Sequence, residues 1–175
     1  MDATEQEIPR PKNRLKRKTH YSGKKKKHTV KTQLTVNSNG LIVHKTNHAR
    51  GRRHDYDVFK RNHPKLPEGI IPGVDLGYDG IQNDFPDMKA MIPFKRRSPG
   101  RGHRGEKARR LTRSQKLFNK SLSKARVVEH TISRLKKFNI FGQEFRNRLK
   151  RYDAMTDIVS GLVNFRILGN KGLSL

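Results

Sequence analysis

Three acidic side chains stand out in a chain of 175 residues that carries 41 Lys and Arg against 15 Asp and Glu. Asp75 closes an apolar run in "IIPGVDLGYDGI", residues 70–81, just before the chain turns through Gly77 and Gly80. Glu129 lies in "RVVEHTISRLKKF". At about 100° per residue it falls at the border of an apolar helical stripe, on a strip shared with Arg126, Ser133 and Lys136. Asp2 opens "DATEQEIPRP", after which the chain turns basic. Each has an ordinary explanation as well: a carboxylate often stabilises a turn such as DLGYDG, and Arg126 with Glu129 makes a common surface pair. Taken together, carboxylates from two strand ends and a helix form an oxygen donor set suited to Mg²⁺ or Mn²⁺, hard cations that keep several waters. Two such ions about 4 Å apart activate a nucleophilic oxygen and stabilise the leaving oxygen in phosphoryl transfer.

The charge balance names the partner class. A net charge of +26 repels itself unless a polyanion is near, and every neutralised phosphate of a nucleic acid releases counterions. Lys24, Lys25, Lys26 and Lys27 form a run suited to phosphate contact without sequence reading, or merely a solubilising loop. Arg101 and Arg104, with Arg109 and Arg110, make a second basic segment. Tyr21 and Tyr78 are placed to stack on unpaired bases or to pack in turns. The absence of cysteine excludes disulfides, thiol catalysis and Cys-bound zinc. His44 and His48 do not share a face at a strand or loop spacing, so zinc is not expected there. No P-loop pattern occurs. No long apolar run suggests a membrane partner, and the composition suits a cytoplasmic protein, nucleoid-associated when bound to DNA.

The elements that must position these residues are partly legible. Residues 8–31 read as an exposed basic arm or loop. Asn39-Gly40 between β-prone runs predicts a hairpin. "HDYDVFKRN" predicts a short helix stopped by Pro64 and Pro67, with Asp55 as its initiator. "GIIPGVDL" predicts a short buried strand, and "DMKAMIPF" another. Residues 95–110 read as a basic mobile loop. Thr112 and Gln115 fit a capping box, followed by apolar residues at helical spacing from Phe118 to Phe138, with a stop at Gly142. A last helix, capped by Asp153, would bury Met155, Ile158, Val159, Leu162 and Val163. Strands first and helices later predict a mixed α/β domain.

Read in order, "DATEQEIPRP", "YSGKKKKHTVKTQLTV", "HDYDVFK", "LPEGI", "DLGYDGI" and "RVVEHTISRLKKF" resemble the catalytic part of DDE insertion-sequence transposases, closest to the insertion sequence five family. The resemblance covers residues 2–168. It implies a ribonuclease-H-like mixed sheet flanked by helices, a divalent metal, and DNA strand cleavage followed by strand transfer at the ends of an insertion sequence. Carried over by motif, Asp2, Asp75 and Glu129 are the catalytic, metal-binding triad. Arg126 and Lys136 match the Arg and the downstream Lys of the family's third block and would orient DNA phosphates; the tyrosine common before that block has no counterpart. His54-Asp55 also matches a family motif. Double-stranded DNA, as transposon ends and target, is the implied partner, and joining two ends implies a homodimer in the active complex.

The resemblance also implies that Asp2 ends the first, central strand of the sheet. Since the chain begins one residue earlier, that strand and any preceding DNA-recognition domain are expected to be missing. Residues 1–175 then form a single, N-terminally truncated catalytic domain that is expected to show little activity as a fragment. The alternative is a non-catalytic basic nucleic-acid-binding protein, or a decayed transposase remnant that only binds DNA.

Overall fold

Five strands build an antiparallel sheet around one long strand: β1 (Asp2–Glu7), β2 (Tyr21–Ser22), β3 (Lys27–Val36), β4 (Ile42–Lys45) and β5 (Ala49–Arg50). β3 is rich in Thr and Val, whose branched Cβ suits a pleated backbone, and each of the other four pairs with it. The computed structural model describes residues 1–62, 69–96, 110–125 and 127–172. They fall into two compact units, residues 1–66 with 127–175 and residues 67–126. The first holds the sheet with α1 (Arg14–His20), α2 (Asp55–Arg61), α5 (Val128–Lys136), α6 (Asn139–Gly142) and α7 (Tyr152–Lys171); the second holds α3 (Ile81–Asp84) and α4 (Arg113–Ala125). The protein is mixed α/β with an antiparallel sheet and helices.

Register assigns the faces. β1 and β3 pair from Asp2 opposite Leu34 to Glu7 opposite Thr29, and directly opposed residues share a face. Asp2, Thr4 and Gln6 therefore lie with Leu34, Thr32 and Val30. On that side Val30 and Leu34 pack with Val128, Ile132 and Leu135 of α5 and with Tyr152, Met155, Val159 and Val163 of α7. Two hydrogen bonds from Gln6 Nε2, to the carbonyls of Ile140 and Gln143 at 2.7 Å each, tie β1 to the α6 corner. The opposite face carries Ala3, Glu5 and Glu7 with Gln33, Lys31 and Thr29.

Several expectations are met. The hairpin at Asn39-Gly40 joins β3 and β4, with Gly40 in the left-handed region at φ +85°. Its loop is five residues rather than two, because Asn37 Oδ1 accepts from the Asn39 and Leu41 amides and closes a wider turn. The helix in "HDYDVFKRN" is α2, with His54 rather than Asp55 at the N-cap position; Pro64 and Pro67 lie outside the described residues. The capping box is made in both directions: the Thr112 amide donates to Gln115 Oε1 at 3.0 Å, and the Gln115 amide to Thr112 Oγ1 at 3.2 Å.

Other expectations are corrected. The basic stretch 8–31 is not an extended arm: Asn13 Oδ1 accepts from the Lys16 amide and starts α1, and the chain then hairpins from β2 into β3. Basic residues in the last turn of α1 suit the negative end of a helix, a pattern that Pro and Gly nearby obscured. Asp2 opens β1, which is paired along all six residues. "GIIPGVDL" forms only a parallel bridge between Gly73 and Met91. Pro72 has no N–H to extend a ladder, and Ile70 and Ile71 are 55% and 48% exposed. "DMKAMIPF" shares that bridge and forms no strand. Residues 97–109 of the expected loop lie outside the described residues. The helix expected from Thr112 to Phe138 divides into α4 and α5, since apolar spacing reports which face is buried, not whether the backbone is continuous. α7 buries Met155, Val159 and Val163, yet Ile158 is 65% and Leu162 49% exposed, and Asp153 sits inside the first turn rather than capping it.

Candidate active site

β1 and α5 bring part of the expected site together. Asp2 is half-buried at the start of β1, where its Oδ1 accepts from the Ala3 amide at 2.8 Å. Lys136, in the last turn of α5, lies within the field of Asp2 and Glu5. It lines a groove of about 350 Å³ together with Glu5, Lys25, Lys27 and Thr29. Although Lys136 as a residue is exposed, the walls of this groove withdraw water. Burial, reinforced by the like charge of Lys25, lowers its ammonium pKa, and Asp2 and Glu5 oppose that shift.

Beneath the groove runs a network that the sequence did not announce. Lys31 Nζ lies 2.6 Å from Asp55 Oδ1 and 3.5 Å from Glu5 Oε1, and donates to the Arg53 carbonyl at 2.7 Å. The side chains of Lys31 and Glu5 are less than a tenth exposed, and Thr29 Oγ1 donates to Glu5 Oε2 at 2.8 Å. Asp55 thus does more than begin α2: it ties that helix to β3. The signal was available in "DATEQE", where alternation sets Asp2 and Glu5 on opposite faces of one strand.

The other two acids have local partners in their own elements. Glu129 is exposed in the first turn of α5, where a negative charge meets the positive end of the helix. Asp75 belongs to the second unit, is exposed, and caps the 3₁₀ turn Leu76–Tyr78, accepting from the Leu76 amide at 2.8 Å. Three carboxylates are the right donors for a hard divalent cation. Among the described residues, however, no group of three His, Cys, Asp or Glu stands close enough to hold a metal ion. Arg126, Arg101 and Arg104 lie outside the described residues.

The lysine run turns the β2–β3 hairpin. Lys26 adopts a positive φ of +56°, Lys24 to Lys26 are exposed, and Lys27 pairs with Glu7 at 2.6 Å. Tyr21 is half-exposed beside this turn, while Tyr78 is buried and not available for stacking. The ring and the amide of His48 both face Asp153, at 2.8 and 2.7 Å.

A family model described as DDE superfamily endonuclease matches residues 1–164. The chain belongs to that family. This DDE endonuclease chain is also 34% identical, over 168 residues, to the probable transposase for insertion sequence element IS702 of Microchaete diplosiphon. The alignment covers 95% of this chain and 56% of that relative, so the DDE endonuclease chain spans just over half the relative's length. No solved structure matches. No helix among the described residues is long and apolar enough to cross a membrane.

Proposed function

We propose that the chain acts in metal-dependent cleavage and strand transfer of DNA at insertion-sequence ends, on a ribonuclease-H-like plan, with Asp2, Asp75 and Glu129 as the acidic triad. The observation that carries this reading is the family match over residues 1–164, which spans all three acids; the relative's printed name adds the transposase activity. Asp2, Asp75 and Glu129 would hold Mg²⁺ or Mn²⁺, which supplies a Lewis acid for phosphoryl transfer. Lys136, which lies within the field of Asp2, would hold a phosphate of the scissile strand, with Arg126 as a second holder. Lys24, Lys25, Lys26 and Lys27, together with Arg101 and Arg104, would hold the duplex backbone away from the reacting bond. Catalysis on this plan is positioning and charge stabilisation, with no covalent protein intermediate. Two copies would act together, one per end, in the cytoplasm on nucleoid DNA.

The exposed basic turn at Lys24, Lys25 and Lys26 favours a second reading in which the chain binds DNA without cutting it. Incubating the chain with end-containing duplex DNA and Mg²⁺ or Mn²⁺ separates the two. On the first reading the wild type nicks slowly and Asp75→Asn abolishes the nicking, with duplex affinity unchanged. Nicking that survives the substitution removes Asp75 from the chemistry, and salt-sensitive binding without nicking in either protein leaves only the second reading.

A further inference from the structure

A cleft of about 810 Å³ opens beside α1, and among the described residues it shares no lining residue with the groove at Glu5 and Lys136. Five cations surround it, namely Arg10, Arg14, Arg17, Lys18 and Arg52, and two rings, Tyr21 and His28, complete the wall. Among the described residues no carboxylate lines it. Among the described residues none of the five cations forms an ion pair. Arg17 Nε is shielded from solvent and has no hydrogen-bond partner, which leaves a charged donor without the acceptor its burial calls for. Tyr21 is 42% exposed, and its ring meets that of His28 edge to face at a centroid distance of 5.6 Å. The two residues are also register partners across β2 and β3, so the hairpin holds the ring in place.

Guanidinium groups take phosphate oxygens in a planar fork, and an aromatic face takes the face of any base. In a duplex those base faces are already stacked on their neighbours, so only unpaired nucleotides can use both features of this cleft. Its volume is within the roughly 300–1,000 Å³ of small-ligand sites. We propose that the cleft binds one or two unpaired nucleotides of a DNA strand, the phosphates on Arg14, Arg17 and Arg52 and a base against Tyr21. The inference rests on DNA being the ligand in the function proposed above, and not on its being cut.

The test compares the full chain's affinity for a labelled oligothymidylate and for an abasic strand with the same number of phosphates, in the absence of divalent metal. Oligothymidylate is expected to bind about 5- to 150-fold more tightly, the range for stacking one base on an aromatic side chain. Tyr21→Phe keeps this difference and Tyr21→Leu abolishes it, while affinity for duplex of equal length is unchanged by either. Arg17→Ala weakens both single strands alike and reduces the salt slope by about 0.7. Equal affinity of the wild type for the two strands, or a difference that persists in Tyr21→Leu, overturns the proposal and leaves a merely basic surface. Discrimination retained by a chain that does not nick DNA defeats the cleavage reading alone, and nicking without discrimination defeats the cleft alone.

Discussion

Lys31 is the residue on which the underside of the sheet depends. Two carboxylates and a backbone carbonyl converge on one ammonium whose side chain is 8% exposed. Removing one member of such a set leaves a buried charge uncompensated, typically at a cost of about 3–5 kcal/mol. Lys31→Met is therefore expected to lower the urea midpoint sharply, because Glu5 remains beneath the surface without its counter-charge. Adding Glu5→Gln to Lys31→Met should recover a large part of the loss. A single variant as stable as wild type in urea titration would show that the ammonium contributes nothing net. Residue identity explains why this was hard to read in advance. Asp2, Asp75 and Glu129 attract attention because they are carboxylates in a basic chain, whereas Lys31 is one of 41 basic residues and only the pairing of β1 with β3 sets it against Glu5.

At the scale of elements, α1 shows how a basic segment becomes structured. His20 ends it, buried, with Nδ1–H donating to the Lys16 carbonyl at 2.9 Å. Burial lowers its pKa below the ordinary 6.5; that hydrogen bond opposes the shift, and Arg50, His48 and Lys16 add to it. Below that ordinary value the unfolded chain takes up a proton that the folded chain resists, so stability is complete above about pH 6.5 and falls as the pH drops toward the lowered folded value. His44, lowered by burial and by Lys45, acts in the same direction. The urea midpoint is expected to fall between about pH 7.5 and pH 5.5, and His20→Gln should flatten that dependence; an unchanged slope would remove His20 as its source. The elements best read from sequence were those with local signals: the Thr112–Gln115 box, the α2 helix and the Asn39-Gly40 hairpin. Those misread depend on tertiary context. The run ending at Val74 looked like a strand, but its only regular pairing is the bridge from Gly73 to Met91. Gly142 looked like a stop for α5, but it serves α6, where any Cβ would collide with the Lys136 carbonyl.

At the scale of the whole molecule, the chain's family and its strong positive charge were legible from ordered motifs and composition, because both are carried by residue identity. Whether three acids meet is not written in their spacing, since proximity across the chain is a property of packing. One small contact bears on how such a cationic, sheet-containing chain behaves in solution. The side-chain amide of Asn164 on α7 accepts from the Ile42 amide at 2.8 Å and donates to the Ile42 carbonyl at 2.9 Å. In doing so it occupies backbone groups on the outer margin of β4 that a foreign strand would otherwise recruit. Asn164→Leu is expected to leave the monomer folded but to raise light scattering with time once DNA or salt screens the mutual repulsion of the chains. A helix side chain here does the job usually left to a neighbouring strand, shielding the sheet from self-association in the concentrated complexes where repulsion alone no longer protects it.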